Sequence, residues 1–410
     1  MNSTGIRWRL SLMMLLQYVV WGAWYPVYSA YLERRGFTGS QMGWIYALLP
    51  LGSMIAPFIG GQLADRYFPT EKLLVAFHLA GGVVMMAAAR ATTFEQLLPL
   101  MALWSLLYAP TLALTNSITF HHLPDAEKKF GLVRVFGTIG WIAAAGMLSG
   151  LRYIWPEEQG LPGLGGADSL WLGGFFSLVL GLFCFAIPKT PPARSGASPW
   201  AFLSALKLLR DPQFVIFILI AFIVATEVMF FFVLTAPFLT TLGVSSRNMP
   251  WVMSIAQIAE IGMMVSLPWL LQRWGVRKTM AFGMLAWPIR YAIFAYGQPK
   301  GLVIASLAIH GICYVCFFVV AYIYTNSVAT PDIRASAQAL ITFVLIGAGM
   351  FMGSKFTGWI KDTYTTGQTV DYTKVFLVPF VLTLIAAVAF FLAFRDRRAT
   401  LQPELEGKAG

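Results

Sequence analysis

Charge is scarce in this chain of 410 residues. Asp, Glu, Lys and Arg together make up 11% of it, and only 18 residues are acidic. Soluble domains carry about a quarter charged residues, so an ordinary water-soluble fold is excluded. Cysteine is nearly absent as well. Cys184, Cys313 and Cys316 all fall inside apolar stretches, which leaves no disulfide framework. Cys313 and Cys316 form a CxxC, but no second pair and no His cluster accompanies it, so these read as buried thiols rather than a metal or redox centre. There is no HExxH, no paired-acid motif at a helix end and no phosphate-binding loop. Neither a metal nor a cofactor is expected.

What the chain has in abundance is apolar surface: 58% of its residues are hydrophobic and 15% aromatic. A membrane-spanning helix needs about 20 consecutive apolar residues. Windows of that length predict twelve spans, near 9–32, 41–64, 72–91, 96–117, 131–152, 168–187, 212–240, 248–272, 276–297, 301–327, 335–360 and 374–395. The first follows Arg7 and Arg9 and is too long, and too poor in small cleavage-site residues, for a removed signal peptide. Basic residues gather on the side that holds both termini, among them Arg7, Arg9, Arg66, Lys72, Arg277 and Lys278. That bias predicts a multi-pass membrane protein with both termini cytoplasmic. The net charge of +11 then reflects this bias and contact with anionic lipid headgroups, and requires no nucleic-acid partner.

A polar, Pro-rich run from Pro188 to Pro199 separates six spans from six. The expected organisation is an N-terminal bundle over 1–187, a cytoplasmic linker over 188–211 that includes an amphipathic segment at Trp200–Leu209, a C-terminal bundle over 212–395, and a tail over 396–410. The external loop from Trp155 to Asp168 is rich in Gly and Pro, carries no motif and is expected to be mobile.

Acids inside the spans are the costliest residues here, since a carboxylate at bilayer depth costs roughly 2.5–3.5 kcal/mol on insertion scales. Glu260 lies in the eighth span, with Gln257 on the same helix face three residues earlier. Glu227 lies midway along the seventh span, and Arg290 at similar depth in the ninth. Either acid could pair with Arg290 or with Lys355 of the eleventh span, and the sequence leaves the pairing open. The freer acid is the better proton carrier, and Glu260 is that acid if Glu227 is the neutralised one. On the fifth span Arg134, Thr138 and Trp141 form one stripe at i, i+4 and i+7. A cation, a hydroxyl and an indole on one face suit a small polar ring. Arg134 could instead snorkel to the headgroups. Gly137 and Gly140 suit close helix packing. His78 and His310 read first as hydrogen-bonded packing residues.

Equivalent loops of the two halves look alike. Gly61-Gln-Leu-Ala-Asp65-Arg66 follows the second span, and Leu271-Gln-Arg273-Trp-Gly275-Val-Arg277-Lys278 follows the eighth. The first resembles the G-x-x-x-D-R/K-x-G-[RK]-[RK] loop of the major facilitator superfamily, with Phe68 in place of a Gly. The second resembles its weaker C-terminal copy. On that resemblance Gly61 lets helices approach closely, Asp65 pairs with cytoplasmic helix ends to hold one conformation closed, and Arg66 completes the gating motif. Within the superfamily the chain resembles the nucleoside:proton symporter family over nearly its whole length. The segments that carry the likeness include Gln17-Tyr-Val-Val-Trp21-Gly22-Ala-Trp24, Arg134-Val-Phe-Gly137-Thr138, Gln257-Ile-Ala-Glu260 and Trp287-Pro-Ile-Arg290.

The resemblance implies an all-α membrane protein of twelve transmembrane helices in two pseudo-symmetric six-helix bundles, the major facilitator fold. It implies proton-coupled uptake of nucleosides or nucleoside-like solutes by alternating access. Arg134, Thr138, Trp141, Gln257 and Glu260 then belong to the substrate site, with Met229, Phe232 and Tyr314 beside them. Coupling falls to Glu260, Glu227 and Arg290. The family places Gln and Asn where Met229 and Phe232 stand, and Asp where Val315 stands, which points to a more apolar or modified ligand. The expected partners are a small solute, protons and the lipid bilayer, with the protein a monomer. Three other readings stay open: an exporter that exchanges an apolar molecule for protons, a membrane-embedded enzyme, and a non-transporting sensor on the same fold.

Overall fold

A computed structural model describes residues 3–123, 126–157, 161, 164–192, 201–330 and 332–395. The expected tail over 396–410 and the linker residues 193–200 lie outside the described residues. Among the described residues, ten helical stretches are long and apolar enough to cross a membrane. In chain order the helices are α1 (Ser3–Gly22), α2 (Tyr28–Arg34), α3 (Gly39–Ala64), α4 (Thr70–Ala89), α5 (Phe94–His122), α6 (Lys129–Ile154), α7 (Asp168–Ala186), α8 (Pro212–Thr241), α9 (Met249–Tyr296), α10 (Lys300–Val328), α11 (Arg334–Thr363) and α12 (Tyr372–Ala393). Two differences from the expected spans have local causes. The first span breaks into α1 and α2 around Pro26, which has no N–H to give a helix. The eighth and ninth spans run together as α9, and the chain turns between them at Gly275, whose φ of 70° suits glycine. The expected amphipathic segment is a 3₁₀ helix, Ala201–Arg210.

The chain forms two compact units. The first comprises Met1–Pro199, Met229–Ser254 and Phe351–Thr363. Helices inside a bilayer gain nothing from excluding water, so they associate by close packing of small residues and by pairing polar groups. Both devices are present. A Cβ on Gly140 of α6 would come within 2.2 Å of the Leu15 carbonyl oxygen on α1. On α3 and α11, Gly39 and Gly358 lie backbone to backbone, and Gly43 meets the Ser354 carbonyl. The Asp362 carboxylate of α11 closes this crossing by accepting from the Gly39 and Ser40 amides at 2.6 and 2.7 Å. In the middle of the unit His78 Nε2 donates to Gln17 Oε1 at 2.9 Å, and Gln17 Nε2 donates to Thr111 at 2.7 Å. His78 is thus the packing residue that the sequence suggests.

The loop after α6 corrects an expectation. At its described residues it is tied down, because Arg152, only 1% exposed, draws two acids inward. Its Nε and Nη2 donate to Asp168 at 2.7 and 2.9 Å, and Nη2 also donates to Glu157 at 2.6 Å. Nη1 donates to the Ser246 carbonyl at 2.9 Å, and Arg34 also pairs with Glu157. Gly and Pro content says nothing about a buried guanidinium with five donors.

The second unit comprises Trp200–Val228, Ile255–Met350 and Tyr364–Gly410. Ser204 of the 3₁₀ segment donates to Ser336 of α11 at 2.8 Å, fixing that segment to the helices. A Cβ on Gly311 of α10 would meet the Ala259 carbonyl group of α9 at 2.6 Å. Both α10 and α11 contain a π-helical stretch, Tyr314–Val319 and Phe343–Gly349, a feature that recurs at functional sites. Of the contacts here, the Arg152 cluster is the most exposed to test. Arg152→Ala leaves Glu157 and Asp168 buried with their main cation gone and is expected to cost about 3–5 kcal/mol, read as a large drop in the detergent melting temperature.

Candidate solute and proton site

In the first unit the stripe on α6 does not stand alone. Across from it α1 presents Tyr18 and Trp21, three residues apart on one helix face, and the turn that follows α1 adds Tyr25. The Arg134 guanidinium lies 4.2 Å from the Tyr18 ring centre. It therefore stacks on an aromatic ring of α1. Gly137 makes room, since a Cβ there would come within 2.6 Å of Arg134 Nη1 and 2.8 Å of the Tyr18 ring. One turn further, Trp141 lies 5.3 Å from Trp21 and 6.4 Å from Tyr25. Thr138, between them, is half-buried. Met229 and Phe232 of α8 join the same cluster: the Tyr25 hydroxyl donates to the Met229 sulfur at 3.8 Å, and the Phe232 ring lies 5.0 Å from Tyr25. Tyr18, Trp21 and Tyr25 were not among the residues that the sequence singles out for the site, although their spacing alone marks a common face.

In the second unit Gln257 is buried, and its Oε1 has no hydrogen-bond partner among the described residues. Glu260, one turn on, is half-buried. Glu227 differs: it is 1% exposed, and neither of its carboxyl oxygens has a hydrogen-bond partner among the described residues. The Tyr291 hydroxyl donates to the Glu227 main-chain carbonyl at 2.6 Å. Arg290, fully buried, donates from Nη1 to His310 Nδ1 at 3.0 Å and lies over the Trp287 and Tyr291 rings at 4.6 and 5.1 Å. A guanidinium only donates, so Nδ1 of His310 is the acceptor. Tyr314, at the start of the π-helical stretch, stacks on His310 at 5.7 Å and on Phe318 at 5.1 Å. Of the two residues that the sequence offers as partners for the acids, Arg290 donates to His310, and Lys355, in the first unit, sits 3.5 Å above the Trp44 ring.

The loop motif is partly described. Arg66 is exposed at the end of its helix, and the Asp65 side chain lies outside the described residues. The packing role expected of Gly61 is corrected: a Cβ there would meet nothing within 4 Å. The close approach falls at Gly60, where a Cβ would come within 2.3 Å of Pro110 of α5. The π-helical stretch Pro57–Gly61 turns each of these residues away from the face that regular α spacing assigns.

Multiple apolar helices, polar side chains kept at bilayer depth and an aromatic-lined cation define a membrane transporter of the major facilitator type. Solved structures bear this out. The chain superposes on the nucleoside transporter NupG with a TM-score of 0.85 at 25% identity, covering 97% of this chain and all of that one. A bacterial homologue of the human lysosomal transporter Spinster gives 0.73 at 17% identity, covering 96% of this chain and 97% of that one. The chain belongs to the nucleoside H+ symporter family, whose model matches residues 4–399. Among curated Escherichia coli proteins it is 33% identical to YegT over 95% of this chain and 93% of that protein, and 28% identical to a xanthosine permease over 95% and 96%. The protein is therefore a proton-coupled transporter of the nucleoside type rather than an enzyme, and the family favours uptake by symport over proton-driven export. One packing test separates the two motif glycines. Gly60→Ala is expected to cost about 1–3 kcal/mol through overpacking and lower the melting temperature, whereas Gly61→Ala leaves it unchanged.

Proposed function

We propose that the chain takes up nucleosides together with protons through the side chains described above. The candidate solute contacts are Arg134, Thr138, Trp141, Met229 and Phe232 in the first unit and, as a separate set, Gln257, Glu260 and Tyr314 in the second. The observation that carries this reading is the pair of facing stripes on α1 and α6, where a guanidinium and two indoles lie among tyrosine rings. Flat rings stack on such surfaces, while Gln257 supplies both a donor and an acceptor for a base or ribose. Met229 and Phe232 are buried and apolar, which favours a ligand with little polar surface on that side. Both termini lie in the cytoplasm on the positive-inside argument, and the protein acts as a monomer in the lipid bilayer of the inner membrane. Its two six-helix halves are 1–187 and 212–395, joined by the linker over 188–211, with the tail over 396–410 cytoplasmic. Asp65 and Arg66 form the cytoplasmic gate.

For coupling, exposure separates the two acids. A proton carrier must be reached by water from one side and then the other. Glu260 is half-buried, while Glu227 is sealed at 1% exposed. Glu260 is therefore the carrier, and Glu227 and Arg290 set the polar surroundings that tune it. In proteoliposomes Glu260→Gln should abolish accumulation of labelled uridine under an inward proton gradient while sparing uridine counterflow. Accumulation that persists in the variant places the carrier elsewhere.

A further inference from the structure

Trp21 stands outside the residues assigned above, yet it touches them. Its ring lies 5.3 Å from Trp141 at 62° and 5.5 Å from Tyr25 at 72°. Gly22 allows this approach, because a Cβ there would come within 2.9 Å of the Trp141 Cα and Cγ. The Nε1–H groups of Trp21 and Trp141 are both enclosed, and neither has a hydrogen-bond partner among the described residues. A buried donor without an acceptor costs about 1–3 kcal/mol, and a buried indole N–H ordinarily finds a partner. Trp24, Trp104 and Trp287 share this condition, but all three are 0% exposed in the interior. Trp21 is half-buried and Trp141 keeps 8% exposure, so neither ring is sealed as those three are. Beside them Arg134 is also a donor and never an acceptor. This face of α1 and α6 thus offers an excess of N–H donors.

We propose that Trp21 is a specificity-determining residue. Its N–H and that of Trp141 donate to acceptor atoms of the base, so the transporter selects bases that present a carbonyl oxygen over those that present a bare C–H at the same position. This rests on the reading of the α1 and α6 stripes as solute-binding, and adds which chemistry they select. An indole is a donor only, unlike a side-chain amide, so the discrimination has one sign.

The test uses matched nucleosides in proteoliposomes. Inosine and nebularine differ at the purine 6-carbonyl, and uridine and zebularine at the pyrimidine 4-carbonyl. The wild-type protein should show a lower KM for the carbonyl member of at least one pair. Trp21→Phe keeps a ring and removes the N–H. In that pair it should raise KM for the carbonyl member by roughly two- to tenfold, the range of one neutral hydrogen bond, and leave the partner's KM unchanged. Retained uptake of the partner shows that the variant is folded. Should Trp21→Phe fail to reach the membrane, Trp21→Met, which also removes the N–H, decides by whether the preference for the carbonyl member falls. KM values that rise together in a pair, or do not move, overturn the inference and leave the solute-binding reading standing. If the wild-type protein carries none of the four nucleosides, that reading falls, and this inference with it.

Discussion

A bilayer offers no water to a polar group, and this one constraint shapes every level of the molecule. Backbone groups must pair within the segment that carries them, which restricts a spanning chain of this kind to helices. Helices in lipid are then joined by whatever else the sequence provides. Here that means glycines at crossings, as where Gly140 meets Leu15 and Gly39 meets Gly358, and polar side chains that satisfy one another. The His78, Gln17 and Thr111 chain, the Arg290 contact with His310 and the Arg152 cluster all follow that rule.

The rule is broken at interior indoles such as those of Trp24, Trp104 and Trp287, and also at groups of the candidate site. Gln257 Oε1, both oxygens of Glu227 and the N–H groups of Trp21 and Trp141 lack hydrogen-bond partners among the described residues. Each such group carries a desolvation penalty that no hydrogen bond from a described residue offsets. Groups of this kind persist when a solute or a proton is what they meet during turnover. The π-helical stretches at Tyr314–Val319 and Phe343–Gly349 belong with them, because each shifts the helix face just where α10 and α11 carry their buried middle portions.

Most of the fold was legible in the sequence because span length and composition depend only on bilayer thickness. The second and tenth expected spans, 41–64 and 301–327, differ from α3 and α10 by a few residues at most. The stripe of Arg134, Thr138 and Trp141 was legible for the same reason, helical periodicity. What escaped were features set by contacts distant in sequence. One partner of Arg290 is His310 on the next helix, and the buried role of Glu157 depends on Arg152 and Arg34. Gly60 rather than Gly61 packs on α5 because a π-helical stretch shifts the register, and no pattern in the sequence announces it. Tyr18, Trp21 and Tyr25 had the right spacing, but their importance shows only once α6 faces them.

The central claim is that movement of a nucleoside by this chain is tied to movement of a proton. The direct measurement is uptake of labelled uridine into proteoliposomes at equal uridine concentration inside and out, with the lumen held more alkaline than the medium. The account predicts a transient accumulation above equilibrium that vanishes when a protonophore collapses the gradient. Equilibration at the same rate and to the same level with and without the gradient would contradict it.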